Sequence, residues 1–330
     1  MTQNNQLQDI AVLRCFATVS LVVWHSYCSY ICWGVVDTPV NNLYSWLFTK
    51  IIPDANMPLF TILAGYLFHY LLIEKSKYGE FKPFLKNKVN RLFIPFIVLG
   101  IFMNLTQYGK HIVDILYGQP NHLWYCLMLF YVYIVCWVTQ KYFSERVNII
   151  LCIISFCVIT IDGVGALSHR VFAGLYVPVY YYGYFYFGFL FRKNLNKWNQ
   201  WGMPMKLIIT AILYIFSCMN SHLIGIASIT YFLLLFTLVN STIISTAIIG
   251  TGGGTKYINT LSKYSFGIYV FHQYIIWNLT REPHCLAYVK PILENHYIIA
   301  PIIMVLMVLS ISFLLTHYSL KTKIGKYLLL

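Results

Sequence analysis

The sequence predicts an all-α integral membrane protein: about ten transmembrane helices in one bundle, with both termini cytoplasmic. Three observations predict it. Of the 330 residues, 59% are hydrophobic and only 10% charged, whereas a soluble domain gives about a quarter of its residues to charge, so a water-soluble globule is excluded. The apolar residues come in long runs, and roughly 20 in a row suffice to cross the hydrocarbon of a bilayer. Finally, 23 Lys and Arg oppose 10 Asp and Glu, but the bases lie between the apolar runs rather than in one patch. That is the distribution of basic cytoplasmic loops facing anionic lipid, so membrane lipids are expected partners and nucleic acid is not.

The runs fall at 10–31, 57–73, 92–108, 122–140, 147–162, 175–191, 207–220, 222–246, 264–280 and 297–318. The first reads as a retained helix, since no Lys or Arg precedes it and no small-residue cleavage site follows. With the N-terminus inside, the loops around 75–91, 141–146, 192–206, 256–263 and 321–326 hold 17 of the 23 bases, and only Lys50, Lys110, Arg170, Arg281 and Lys290 face out. The longest loops, 32–56 and 281–296, are too short to bury a core. Residues 1–330 therefore read as a single transmembrane domain, with its chemistry in or beside the bundle. The nine cysteines are scattered without CxxC pairs, so neither a disulfide framework nor a metal site is expected.

Ionisable groups inside spans are expensive and invite a functional explanation. In the first helix Arg14 and His25 are 11 residues apart, which places them on one face and ~16 Å apart along the axis. Thr18 and Ser29 extend the stripe. Arg14 lies near the cytoplasm; His25 lies nearer the outside, where a neutral imidazole is suited to deprotonate a hydroxyl. Lys88 and Arg91, three apart at the start of the third span, would point one way on a helix and clamp a phosphate-bearing ligand. In the ninth span Ser262, Ser265, Tyr269 and His272 form a polar stripe at helical spacing. His122, Trp124 and Tyr125 open the fourth span on the outer side, where aromatic belts also occur.

Three other features read as structural. The aromatic run 176–191 serves packing first and sugar stacking second. Residues 250–256 are rich in glycine, but no strand precedes the run and Tyr257 follows the lysine, so it reads as a cytoplasmic connector rather than a phosphate loop. His69 and Glu74 sit at an acyltransferase-like His-to-acid spacing, yet they straddle the inner end of the second span.

Taken in order, the motifs resemble the membrane acyltransferase family 3, over essentially the whole chain. They are Arg14 and His25 in the first helix, Met57-Pro58-Leu59-Phe60 and Ala64-Gly65-Tyr66-Leu67-Phe68 in the second, and the basic stretch from Lys88 and Arg91 to Pro95. His122-Leu123-Trp124 and Ser265 to His272 follow, and then the basic residues Lys321 and Lys323 after the last span. Three positions depart from the family pattern: Ala11 where Asp is common, Ala64 where Ser is usual, and Lys88 where Arg is frequent.

The resemblance implies transfer of an acyl group, most often acetyl from cytoplasmic acetyl-CoA, to a hydroxyl of a cell-surface polysaccharide or other glycan. It also implies a bacterial cytoplasmic membrane, and no permanently bound cofactor. His25 would be the general base and Arg14, Lys88 and Arg91 the donor clamp; His122, Trp124, Tyr269 and His272 would be acceptor-side residues. The rival expectation is a polysaccharide exporter without acyl-transfer chemistry. Alternative membrane topologies are separated by labelling. A membrane-impermeant maleimide should modify intact cells through Cys32 and Cys285, lose that signal in the Cys32→Ser/Cys285→Ser variant, and reach a cysteine introduced at Ser76 only after permeabilisation.

Overall fold

The computed structural model describes residues 3–48, 56–118, 121–162, 171–220, 223–241 and 252–329. Among these residues the chain is helical, with no strand. The helices are α1 (Gln3–Ile31), α2 (Asn41–Trp46), α3 (Asn56–His69), α4 (Phe81–Lys88), α5 (Ile94–Thr106), α6 (Trp124–Tyr142), α7 (Glu145–Asp162) and α8 (Val177–Lys193). They continue as α9 (Leu195–Gln200), α10 (Met203–Met219), α11 (Ile224–Val239), α12 (Gly252–Arg281), α13 (Pro283–Asn295), α14 (Ala300–Ser319) and α15 (Lys323–Leu329). Two π-helical turns extend this framework. Tyr70–Glu74 prolongs α3, and Val89–Phe93 joins α4 to α5.

Every expected apolar run coincides with a helix, although 242–246 of the eighth lie outside the described residues, as do Lys50 and Arg170. By length and apolar content, four helical runs suffice to cross a membrane: Leu7–Ile31, Asn56–Glu74, Phe81–Thr106 and Ala300–Ser319; Met203–Met219 and Gly225–Val239 are shorter apolar helices. Helices α6 and α8 are not among them: α8 has 17 residues and α6 ends on Thr139-Gln140-Lys141-Tyr142, while the α8 tyrosines Tyr180, Tyr182, Tyr184 and Tyr186 are buried. One expectation is corrected. From Gly252 onward the glycine-rich 250–256 run is the first turn of α12, not a connector.

Apolar side chains left uncovered line the outer helices: Ile150 and Ile153 on α7, Ile208, Ile212 and Phe216 on α10, and Ile303, Leu306 and Leu314 on α14. Faces of that kind suit lipid. Polar residues turn inward instead, with Thr18, His272 and Thr316 almost fully enclosed. Helix α1 occupies the middle of the arrangement, packing against α12, α14, α3 and α11.

The tightest crossing joins α3 to α8. A methyl group on Gly65 would run into the Phe185 carbonyl, and one on Gly188 into the Ile62 carbonyl. Small residues let membrane helices approach backbone to backbone, where dispersion replaces the missing hydrophobic drive. Gly188→Ala should therefore lower the melting temperature of the detergent-solubilised protein, by ~1–3 kcal/mol of overpacking. Gly79→Ala, at a position whose nearest neighbour would be the Ser76 carbonyl at 3.9 Å, should leave it nearly unchanged.

Candidate active site

The contact between α1 and α12 brings two of the expected residues together: His272 Nε2 lies 3.2 Å from His25 Nδ1. Their protonation follows from their other neighbours. His272 Nδ1 is 3.0 Å from the Ile268 carbonyl, one helical turn back, and only an N–H can satisfy a carbonyl. Its Nε2 is therefore a lone pair. His25 Nδ1 faces that lone pair and also the Leu21 carbonyl at 3.1 Å, so it carries the proton and shares it between two acceptors. This assignment leaves His25 Nε2 unprotonated, with no partner among the described residues. His272 is fully enclosed while His25 is half-buried.

The stripe on α12 faces the interior as its spacing predicts, with Ser262, Ser265 and Tyr269 buried. His122 arrives from the 3-10 turn Asn121–Leu123 ahead of α6. Its ring centroid is 5.4 Å from that of His272 and 5.0 Å from that of Tyr269, whose hydroxyl donates to the His122 carbonyl. Both ring nitrogens of His122 are buried with no protein partner, so they retain hydrogen-bonding capacity for a bound molecule. Trp124 turns elsewhere, packing against Tyr125 and Tyr181.

Deeper in the bundle Lys88 meets an aromatic residue that spacing alone does not single out. Lys88 Nζ stands 3.4 Å from the Tyr133 ring centroid, within a cage completed by Phe68, Tyr78 and Phe84. Arg14, on α1, is half-buried. Neither cation has a carboxylate partner among the described residues. The expectation that Lys88 and Arg91 share a helix face is not met: Lys88 is buried and Arg91 exposed. The π turn Val89–Phe93 changes the angular step between them. Tyr125 then links this inner cluster to the outer one, its ring 5.9 Å from Tyr269.

A further ionic group lies where the π turn Tyr70–Glu74 ends. Arg192 on α8 grips Glu74 with a two-point fork at 2.6 and 2.7 Å and donates to the Tyr66 hydroxyl at 2.7 Å. His69 Nδ1 comes within 3.4 Å of the same carboxylate. The His69 and Glu74 spacing is thus realised as a contact, within a structural network centred on Arg192. An acid directly after an apolar run was the available signal, since a partly covered carboxylate calls for a base opposite. Among the described residues no group of three His, Cys, Asp or Glu is placed to hold a metal ion.

A family model, acyltransferase 3, described as an acyltransferase domain, matches residues 7–320. No curated protein and no solved structure matches the chain.

Arg192 supplies a fork that an ammonium cannot reproduce. Arg192→Lys should lower the melting temperature by several degrees in detergent. Lys193→Gln, which removes an exposed bridge to Glu145 at 2.7 Å, should move it by less than the scatter between preparations.

Proposed function

The chain belongs to the acyltransferase 3 family, whose members are membrane acyltransferases with an acyl donor and an acceptor; from that premise we propose that it transfers acetyl from cytoplasmic acetyl-CoA to a hydroxyl of a cell-surface glycan, with His25 as general base. The observation that carries this reading is the hydrogen bonding of His25, which keeps a proton on Nδ1 and a free lone pair on Nε2. In the same reading the chain crosses a bacterial cytoplasmic membrane ten times, as one domain with both termini inside.

The steps follow from the geometry. Lys88, Arg14 and Arg91 hold the donor's phosphates from the inner side; the first two lack internal counter-ions and remain available to a polyanion. The extended arm of the donor runs along α1 across the ~16 Å to His25. His25 Nε2 then takes the proton of the acceptor hydroxyl as its oxygen attacks the thioester carbonyl carbon. The tetrahedral adduct collapses, the carbon–sulfur bond breaks, and His25 returns the proton to the leaving thiolate. While His25 is an imidazolium, the Leu21 carbonyl and His272 Nε2 both accept from its Nδ1–H. His272 is a positioning residue in this scheme, fixing the tautomer and ring angle as the third member of a triad does. His122 offers its unpartnered nitrogens to the acceptor. Tyr269 holds the His122 backbone, and Trp124 supports Tyr125.

Calorimetry with acetyl-CoA tests the division of labour. Wild type should bind saturably, Lys88→Ala/Arg91→Ala should lose binding, and His25→Ala should keep binding while kcat falls by ~10²–10⁴. His272→Ala should lower kcat with both KM values retained, and His272→Gln, which restores an acceptor, should recover part of it. No binding of acetyl-CoA to folded wild type would overturn the proposal in favour of an exporter.

A further inference from the structure

On the outer side of His25 lies a second cluster that the transfer chemistry does not use. The Trp33 ring centroid stands 6.2 Å from that of His25 and 6.0 Å from that of Trp277. Trp277 is held in place by its indole N–H, which donates to the Tyr108 carbonyl at 3.0 Å. Two cations approach this one indole, Lys110 Nζ at 4.2 Å and Arg281 Cζ at 5.6 Å from the ring centroid. Arg281 also donates from Nη2 to the Trp33 carbonyl at 2.8 Å, while its Nε is buried without a partner. Trp33, Lys110, Trp277 and Arg281 are all partly exposed.

Like charges held near one ring repel, and cation–π attraction offsets only part of that. Of the nearby acids, Glu282 is engaged in a helix cap and Asp114 acts on Lys110 only from beyond ion-pair distance. Glu282, next to Arg281 in sequence, caps α13 by accepting from the Cys285 N–H at 2.8 Å, a bond that holds its carboxyl below the usual range. Asp114 accepts from the His111 N–H at 3.4 Å at the start of the 3-10 turn Ile112–Tyr117. Burial lowers the basicity of Lys110, with Asp114 opposing that and Arg281 adding to it. Neither Lys110 nor Arg281 forms an ion pair with a carboxylate among the described residues. The cluster therefore has two cations and two indoles, all partly exposed, beside the proposed base. Indole faces take sugar rings, and paired Lys and Arg take carboxylates or phosphates.

We infer that Trp33, Trp277, Lys110 and Arg281 form the acceptor subsite and that it selects an anionic sugar, whose carboxylate or phosphate lies between the two cations while its hydroxyl reaches His25. This rests on the acyl-transfer reading for the hydroxyl's fate, and on the cluster alone for the charge. Carboxylate on a uronic-acid glycan and phosphate on a lipid-linked sugar share the required chemistry.

The test is calorimetry on the full chain in lipid nanodiscs with four probes: a glucuronic-acid-containing tetrasaccharide, its carboxyl-reduced counterpart, glucose 1-phosphate and glucose. At least one acidic probe should bind about tenfold more tightly than its neutral partner, and the preference should weaken at high salt. Preference within the first pair identifies a carboxylate acceptor, and within the second a phosphate. In Lys110→Gln the ratio should fall by about threefold, and in Lys110→Gln/Arg281→Gln it should approach one. Lys110 makes no hydrogen bond through its side chain, so its variant keeps the test valid if the loss of the Arg281 bond to Trp33 disturbs folding. Equal binding of acidic and neutral probes, a preference that survives both variants, or no binding of any probe at millimolar concentration would overturn the inference. Acidic preference without acetyl-CoA binding would instead retain the subsite and sink acyl transfer; acetyl-CoA binding without acidic preference would do the reverse.

Discussion

Wherever apolar surroundings exclude water, each polar group must find its partner inside the protein, and the meeting of α1 with α12 is where that requirement bears hardest. His25 and His272 satisfy each other at 3.2 Å, and each is also tied to a carbonyl one turn back on its own helix. A carbonyl four residues earlier is always present in a helix, so the tautomers are set by the backbone and survive changes elsewhere. The remaining polar side chains of the two stripes are placed by the same packing. Displacing either helix by one turn would leave the His272 Nε2 lone pair without its donor, in a medium that offers nothing in exchange.

The cations of the chain fall into two kinds. Arg192 is neutralised by a fork to Glu74 and ties α3 to α8, which is a structural use. Lys88, Lys110 and Arg281 lie against aromatic rings instead of carboxylates. A ring stabilises a cation without neutralising it, so charge is stored rather than cancelled. Two such stores lie on opposite sides of the histidines. The arrangement suits a protein that meets an anion from each side.

Much of this was legible in the sequence. Helical content, the positions of the apolar runs, the inward stripe Ser262 to His272 and the placement of Arg14 and His25 on one helix all follow from composition and from the 3.6-residue period. Contacts between distant segments were not legible. Nothing in the spacing of Tyr133 marks it as the ring that receives Lys88, and nothing local tells Lys110 to meet Trp277 across more than 160 positions, because helix packing decides both. The division between Lys88 and Arg91 was missed for a different reason. A π turn has no composition of its own, and the run Val89–Phe93 reads as an ordinary helix until hydrogen bonds are seen.

The glycine crossing of α3 and α8 bears on how the protein moves. Two backbone contacts, at Gly65 and Gly188, and the Arg192 fork beyond them hold these helices at three successive levels, so they can only turn as a single stave. Helix α1 has no comparable glycine contact with α12; its side-chain interdigitation permits small sliding of the kind seen in shear motions. Any breathing of the bundle is therefore expected beside α1, the helix that carries the proposed base His25. Passage and chemistry would then share one moving part, with the α3–α8 stave as the fixed wall against which it works.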